Sequence, residues 1–255
     1  MQKRFASIAS IVLVCVMVAG FAVAFSFDNR ASGNQPESPD TPGVHILSEE
    51  TVAVLAETTT FPFGDVGPHD WFYNSVVWAY RNEIMNGTSS TVFSPHSNMT
   101  RAMLVTVLWR YAGSPPAGNP AFIDVAANRW YSTAVAWANE NDIVHGHNAF
   151  IFGVNEPVTR EQMYTILYRY MIFAELTINL DDEPRILRFE DEEEISDWAL
   201  DAMYLMYDAG IMFAQGTLDR SARPRVNAFR GEVAGAMYFF DLYSEPISVT
   251  MPGDS

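Results

Sequence analysis

Apolar residues recur every third and fourth position along most of this chain. Val76, Ala79, Tyr80 and Ile84 follow that spacing, with Glu83 as one polar exception, and predict a helix over 74–83 that ends before Gly87. A second stripe runs through Leu104, Val107, Leu108 and Tyr111. It returns at Met163, Ile166, Leu167 and Tyr170, and again at Val233, Ala236, Met237 and Phe240. No alternating segment is long enough to predict a substantial sheet, so the expected class is all-α. Ahead of these stripes lie two different segments. Phe5 to Phe27 carries no charge, follows Lys3 and Arg4, and contains Ala22-Val23-Ala24, the pattern of an export signal cut near residue 24. The same run is long enough to stay uncleaved as a membrane anchor, and both readings stand. Residues 25–60 are rich in Pro, Ser, Asn, Thr and acids and read as a flexible acidic spacer.

The stripes belong to a duplication. Shifted by 59 positions, Phe63, Asp65, Val66, Trp71, Trp78, Ile84, Gly87 and Phe93 fall on Phe122, Asp124, Val125, Trp130, Trp137, Ile143, Gly146 and Phe152 without a gap. Thr100-Arg101 falls on Thr159-Arg160, and Arg110-Tyr111 on Arg169-Tyr170. A more diverged third copy keeps Phe189, Asp191, Trp198, Ile211, Gly216 and Arg230, with its extra residues in loops. Each copy reads as helix, loop with Gly and Pro, helix. Thr100 and Thr159 are placed to cap the second helix, and Thr159 with Gln162 makes a capping box. Phe229 replaces the threonine in copy three, where Asn227 is the candidate substitute cap. The arginine then occupies the first helical position, an unfavourable end of the dipole for a cation. Helix stability does not ask for it there. Unpaired amides beside a guanidinium do make an anion site.

Charge narrows the partners. The formal net charge is −16, and Lys3 is the sole lysine, so the chain repels nucleic acid and anionic membrane in bulk. An anionic ligand must be held by local arginines, whose planar fork pairs with a carboxylate. Cys15, the one cysteine, lies in the apolar run, which leaves no disulfide or thiolate metal site downstream. His145 and His147, with Glu140 and Asp142 nearby, lack the set spacing of a metal site, and Glu190 to Glu194 lack that of a calcium loop. No metal, cofactor or catalytic motif is assigned.

The repeated residues resemble the S-layer homology module of bacterial surface proteins. That module opens with Phe-x-Asp-Val and a Trp, passes through Gly-Ile-x-x-Gly, and carries Thr-Arg-Ala-Glu at its second helix. Here the last motif reads Thr100-Arg101-Ala102-Met103, Thr159-Arg160-Glu161-Gln162 and Phe229-Arg230-Gly231-Glu232. The resemblance implies three modules, at 61–113, 120–175 and 187–243, folded as one pseudo-threefold helical unit with ligand-binding grooves between neighbouring copies, and a tail at 244–255. It implies a secreted protein held noncovalently at the cell wall or S-layer through secondary cell-wall polysaccharide bearing pyruvate ketals. By the same resemblance the binding residues are Asp65, Trp71, Gly87 and Arg101 in copy one and Asp124, Trp130, Gly146 and Arg160 in copy two. Copy three supplies Asp191, Trp198, Gly216 and Arg230. Copies one and two are expected to bind ahead of copy three, which has lost its hydroxyl cap.

Each of these residues has a plainer reading. The tryptophans suit a core or repeat interface, the aspartates suit loop amides, and the arginines suit a salt bridge to the neighbouring repeat. Two other functions stay open, a membrane-tethered structural protein linking membrane to wall and a wall-active hydrolase. Nothing singles out a carboxylate pair for the latter, and the chain is read as having no enzymatic activity.

Overall fold

The computed structural model describes residues 14–17, 21–24, 61–178, 189–212 and 221–246. Most of the expected signal, the whole spacer, Gly216 and residues 247–255 therefore lie outside the described residues. Two units are distinguished, residues 1–60 and 61–255. In the first, β1 (Val14–Met17) pairs antiparallel with β2 (Phe21–Ala24). No helix among the described residues is long and apolar enough to cross a membrane.

The second unit is helical. Its α-helices are α1 (Tyr73–Arg81), α2 (Arg101–Tyr111), α3 (Ser132–Glu140), α4 (Arg160–Phe173), α5 (Leu200–Asp208) and α6 (Arg230–Tyr243). Short 3-10 turns at Glu192–Glu194 and Asp197–Ala199 lead into α5. The first helix ends two residues sooner than its apolar stripe predicts, and the polar exception is the reason. Glu83 sits at φ 58° in the left-handed turn that closes α1, as do Asp142 at 57° after α3 and Gly210 at 76° after α5.

The three second helices meet around an axis. At one end, the amide of Met99 donates to Ala228, that of Ala228 to Val158, and that of Val158 to Met99, at 2.8, 2.8 and 2.9 Å. This closed triangle of backbone hydrogen bonds occupies equivalent positions in the three segments. At the other end the rings of Tyr111, Tyr170 and Phe240 face one another with centroids 5.8, 6.0 and 6.3 Å apart. Again the positions are equivalent. Around this inner bundle, α1 packs on α6, α3 on α2 and α5 on α4, so each outer helix rests on the inner helix of the preceding segment. Exchange of this kind buries one continuous core, in which Phe93, Phe152, Tyr164 and Phe240 are fully enclosed. A large apolar side chain so placed contributes about 1.5–3 kcal/mol, and no single segment has a core of its own to offer it.

The start of the expected tail is ordered. β4 (Ser244–Pro246) pairs antiparallel with β3 (Leu176–Ile178), tying the end of the third segment to the end of the second.

Candidate functional site

The first turn of each inner helix is where the segments lock. Thr100 accepts from the amide of Met103, and Thr159 from that of Gln162, whose side chain returns the bond to the Thr159 amide. The next two amides do not point to solvent. Arg101 and Ala102 donate to the carbonyls of Glu156 and Val154, Arg160 and Glu161 to Val226 and Pro224, and Arg230 and Gly231 to Ser97 and Pro95. The expectation of helix-end amides left open for an anion is therefore corrected. A loop of the next segment has already occupied them.

The arginines follow the same rotation. Arg101 donates through Nε to the carbonyl of Phe152 at 2.9 Å and through NH2 to that of His145 at 2.8 Å. Arg230 does the same with Phe93 at 2.9 Å and Asn86 at 2.6 Å. Each guanidinium lies over the ring of that phenylalanine, 4.7 Å from Phe152 and 4.6 Å from Phe93. Burial pulls both pKa values down, with Glu156 and Asp124 opposing at Arg101 and Asp65 at Arg230. Both remain charged, as arginine does in proteins. Arg160 is different. Its Nε reaches the carbonyl of Ala222 at 2.9 Å, the ring nearest its guanidinium is Tyr164 of its own helix at 5.7 Å rather than a phenylalanine of the next loop, and its NH1 is bonded to the Glu232 carboxylate. Burial pushes the Glu232 carboxyl up, against the pull of the Arg160 guanidinium. Asn227 provides no cap in this segment. Glu232 instead accepts from the Phe229 amide at 3.4 Å.

The aspartates are loop staples. Asp65 accepts from the amides of Phe93 and Ser94, Asp124 from Phe152 and Gly153, and Asp191 from Ala222 and Arg223, all at 2.7–2.8 Å. The second residue of each pair is left-handed, with φ 60° at Ser94, 84° at Gly153 and 47° at Arg223. A carboxylate bridging two successive amides holds a conformation that serine and arginine otherwise avoid. The loop glycines are required by close approach. A Cβ at Gly87 would stand 2.3 Å from the Phe63 ring, and one at Gly146 would stand 2.5 Å from the Phe122 ring and 2.4 Å from the Ile151 carbonyl.

Two grooves lie among the described residues, and neither is built within one repeat. Groove 1, about 300 Å³, brings Arg101 of the first segment to Gly146 of the second and Trp198 of the third. Groove 2, about 220 Å³, brings Arg230 of the third to Gly87 of the first and Trp130 of the second. The resemblance implies grooves between neighbouring repeats, and the fold shows which copies contribute to each of these two. Trp198 and Trp130 are 53% and 58% exposed, which rules out a core role for them. Trp71, 40% exposed, lines neither groove and packs its edge against Phe72 and Phe229. Trp137 is buried and Trp78 half-buried, both in packing contacts. Asp65, Asp124, Asp191 and Arg160 also line neither groove. Arg230 lines groove 2, whereas Arg160 is bonded to Glu232.

Sequence reasoning missed one wall of each groove. In groove 1 it is the face Gln162, Thr165, Ile166 and Arg169 of α4; in groove 2 it is Met103, Thr106, Val107 and Arg110 of α2. The signal was present, because Arg110 and Arg169 align in the duplication, each nine residues and so half a helical turn out of phase from the arginine that starts its own helix. Each groove thus holds two guanidinium groups in a strongly acidic chain. His145 and His147 also line groove 1, and the His147 ring pairs with Glu156 at 2.6 Å. No cluster among the described residues could hold a metal ion.

Comparison with known proteins bears on this arrangement. The S-layer homology domain model matches residues 62–102 and 122–163. Each match begins at an Asp-stapled loop and ends in the first turn of an inner helix. The chain is also 31% identical over 179 residues to an endoglucanase of Bacillus sp. (strain KSM-635), covering 70% of this chain and 18% of that protein. An amylopullulanase of Thermoanaerobacterium thermosulfurigenes is 26% identical over 177 residues, 69% of this chain and 9% of the relative. The surface-layer 125 kDa protein of Lysinibacillus sphaericus is 26% identical over 129 residues, 51% of this chain and 10% of the relative. The chain thus spans less than a fifth of each of these relatives.

Proposed function

We propose that residues 61–243 are a wall-anchoring unit of three S-layer homology modules, the third diverged, placed at the cell surface by export of the chain. Its grooves 1 and 2 hold secondary cell-wall polysaccharide through the carboxylate of a pyruvate ketal. The observation that carries this reading is the pairing, in each groove, of two arginines with an exposed tryptophan from a third segment. A carboxylate meets the guanidinium groups while a sugar face lies on the indole. The relatives support attachment over catalysis. An endoglucanase, an amylopullulanase and a surface-layer protein share this segment as a minor part of their length, as expected of an anchor common to proteins with different work.

The test is co-sedimentation with purified walls, before and after mild acid removal of the ketals. Binding should vanish with the ketals, and binding that survives their removal would sink the reading. Trp130→Ala and Trp198→Ala should each weaken wall binding about tenfold, equivalent to about 1.4 kcal/mol, without unfolding the protein. Trp71→Ala should leave it unchanged.

A further inference from the structure

Two donors in groove 1 have no acceptor. The Thr165 hydroxyl is buried, with the residue 4% exposed, and is the one buried side-chain polar atom without a hydrogen-bond partner among the described residues. One turn along the same face of α4, the half-buried Arg169 guanidinium makes no hydrogen bond among the described residues; Asp142 is the acid that faces it through space. Groove 2 differs at both positions. There Thr106 donates to the Ala102 carbonyl at 2.8 Å, and Arg110 donates to the Ile84 carbonyl at 3.3 Å. Arg101 meanwhile spends two of its five N–H groups on backbone carbonyls that hold the neighbouring loop.

We propose that groove 1 is the tighter of the two sites, and that Thr165 and Arg169 are the residues that grip the ligand carboxylate there. This rests on the wall-anchoring reading and adds to it which side chains recognise the anion. Arg101 is the positioning residue, fixing the 145–152 loop against α4 and adding its charge at the groove wall. An orphan hydroxyl and an unpaired guanidinium, four residues apart on one helix, are donors desolvated before the ligand arrives. A carboxylate at Arg169 satisfies the guanidinium directly, and a small side-chain adjustment that turns the enclosed Thr165 hydroxyl toward the groove satisfies the second donor. In groove 2 the same carboxylate would have to compete with backbone carbonyls for its donors. Gln162 in groove 1, opposite Met103 in groove 2, adds one more polar group to the same side.

Calorimetric titration of the full chain with the methyl glycoside of a 4,6-O-(1-carboxyethylidene) N-acetylhexosamine tests this, with its methyl ester as the uncharged control. Two classes of site are expected, and only the acid should fill the tighter one. Thr165→Val should weaken the tight class about tenfold and leave the weak class alone, while the melting temperature stays level or rises, because the hydroxyl has no partner to lose. Arg169→Lys, which keeps the charge and loses the fork, should weaken the same class by a similar factor. If both variants retain the tight class while Trp198→Ala abolishes it, the assignment of Thr165 and Arg169 falls and the anchoring reading stands. A Thr165→Val chain that melts earlier and binds less would make the threonine structural and overturn its role. Failure of the wild-type chain to bind the acid glycoside at all would overturn both this proposal and the ketal reading on which it rests.

Discussion

The two grooves and the interface around Arg160 are built on one plan, and they have gone different ways. In the grooves, Arg101 and Arg230 rest on the phenylalanine rings of the next loop, and Arg169 and Arg110 project from a neighbouring helix. At the third interface every one of these features has changed. Ala222 stands where Phe93 and Phe152 stand, Glu232 where Met103 and Gln162 stand, and Phe239 where Arg110 and Arg169 stand. The glutamate neutralises Arg160, and the phenylalanine removes the second cation. An arginine at the start of an inner helix is therefore an interlock first. On the proposed wall-anchoring function, it becomes a binding element only where its neighbours leave charge unspent.

The sharpest way to break this comparison is to remove the ion pair. Arg160→Ala leaves Glu232, 1% exposed, as a buried carboxylate without its guanidinium, and should cost about 3–5 kcal/mol of stability in urea denaturation. Replacing both partners, as Arg160→Met with Glu232→Met, should recover most of that loss, because the desolvation of two charges is avoided as well. The double variant should also sediment with walls as the wild type does. Lost wall binding in a stably folded double variant would show that the third interface holds ligand, and the distinction drawn here would fail.

A smaller effect tests what the interfaces share. Burial alone would raise the carboxyls of Asp124 and Asp191. At Asp124 the amides of Phe152, Gly153 and Val154 outweigh it, and at Asp191 those of Ala222 and Arg223 do so with the Ser221 hydroxyl, leaving both below the usual carboxylate range. A carboxylate with a lowered folded pKa stabilises the fold fully above its unfolded value of about 3.9 and loses that contribution as pH falls through the folded value. Stability should therefore decline below about pH 4, and Asp124→Asn and Asp191→Asn should each flatten that decline to a similar extent. Unequal effects would mean that the staple, and not the arginine's surroundings, separates the grooves from the third interface.

Much of this was legible in the chain. The stripes through Leu104, Met163 and Val233 place the inner helices, and the duplication places Trp, Gly and Arg at matching points. Thr100 and Thr159 cap as their positions predict. What the sequence hides is the rotation between segments. Periodicity reports which face of a helix is apolar, but not which segment covers it, so it leaves open which copies meet in each groove between repeats. Arg101, Gly146 and Trp198 come together only because each segment hands its loop to the next. The fate of Arg160 was hidden for the same reason. Glu232 reads as the restored fourth residue of the Thr-Arg-Ala-Glu motif, and only the packing shows that it neutralises the preceding segment's arginine. Thr165 was invisible because an orphan hydroxyl is defined by what surrounds it.

The smallest effect concerns the cap that the third segment lost. The Phe229 amide donates to Glu232, which also holds Arg160, but no side chain returns a bond to the first turn of α6. Phe229→Thr would put a hydroxyl where Thr100 and Thr159 carry theirs, a gain of about 1 kcal/mol for a capped over an uncapped helix. Against it stands the half-buried ring, which meets Trp71 at 6.2 Å and His96 at 6.0 Å between centroids. Aromatic pairs of this kind are worth about 0.5–1.5 kcal/mol, so the two changes nearly cancel. The expected net change in thermal stability is within about 1 kcal/mol, and the useful measurement is the double variant Phe229→Thr with Trp71→Ala. With Trp71 already removed, the loss of the ring weighs less and the hydroxyl should show its gain. If the threonine still gives nothing there, the third segment has found another way to satisfy its first turn. Its divergence would then lie in the helix start as well as in the arginine's partners.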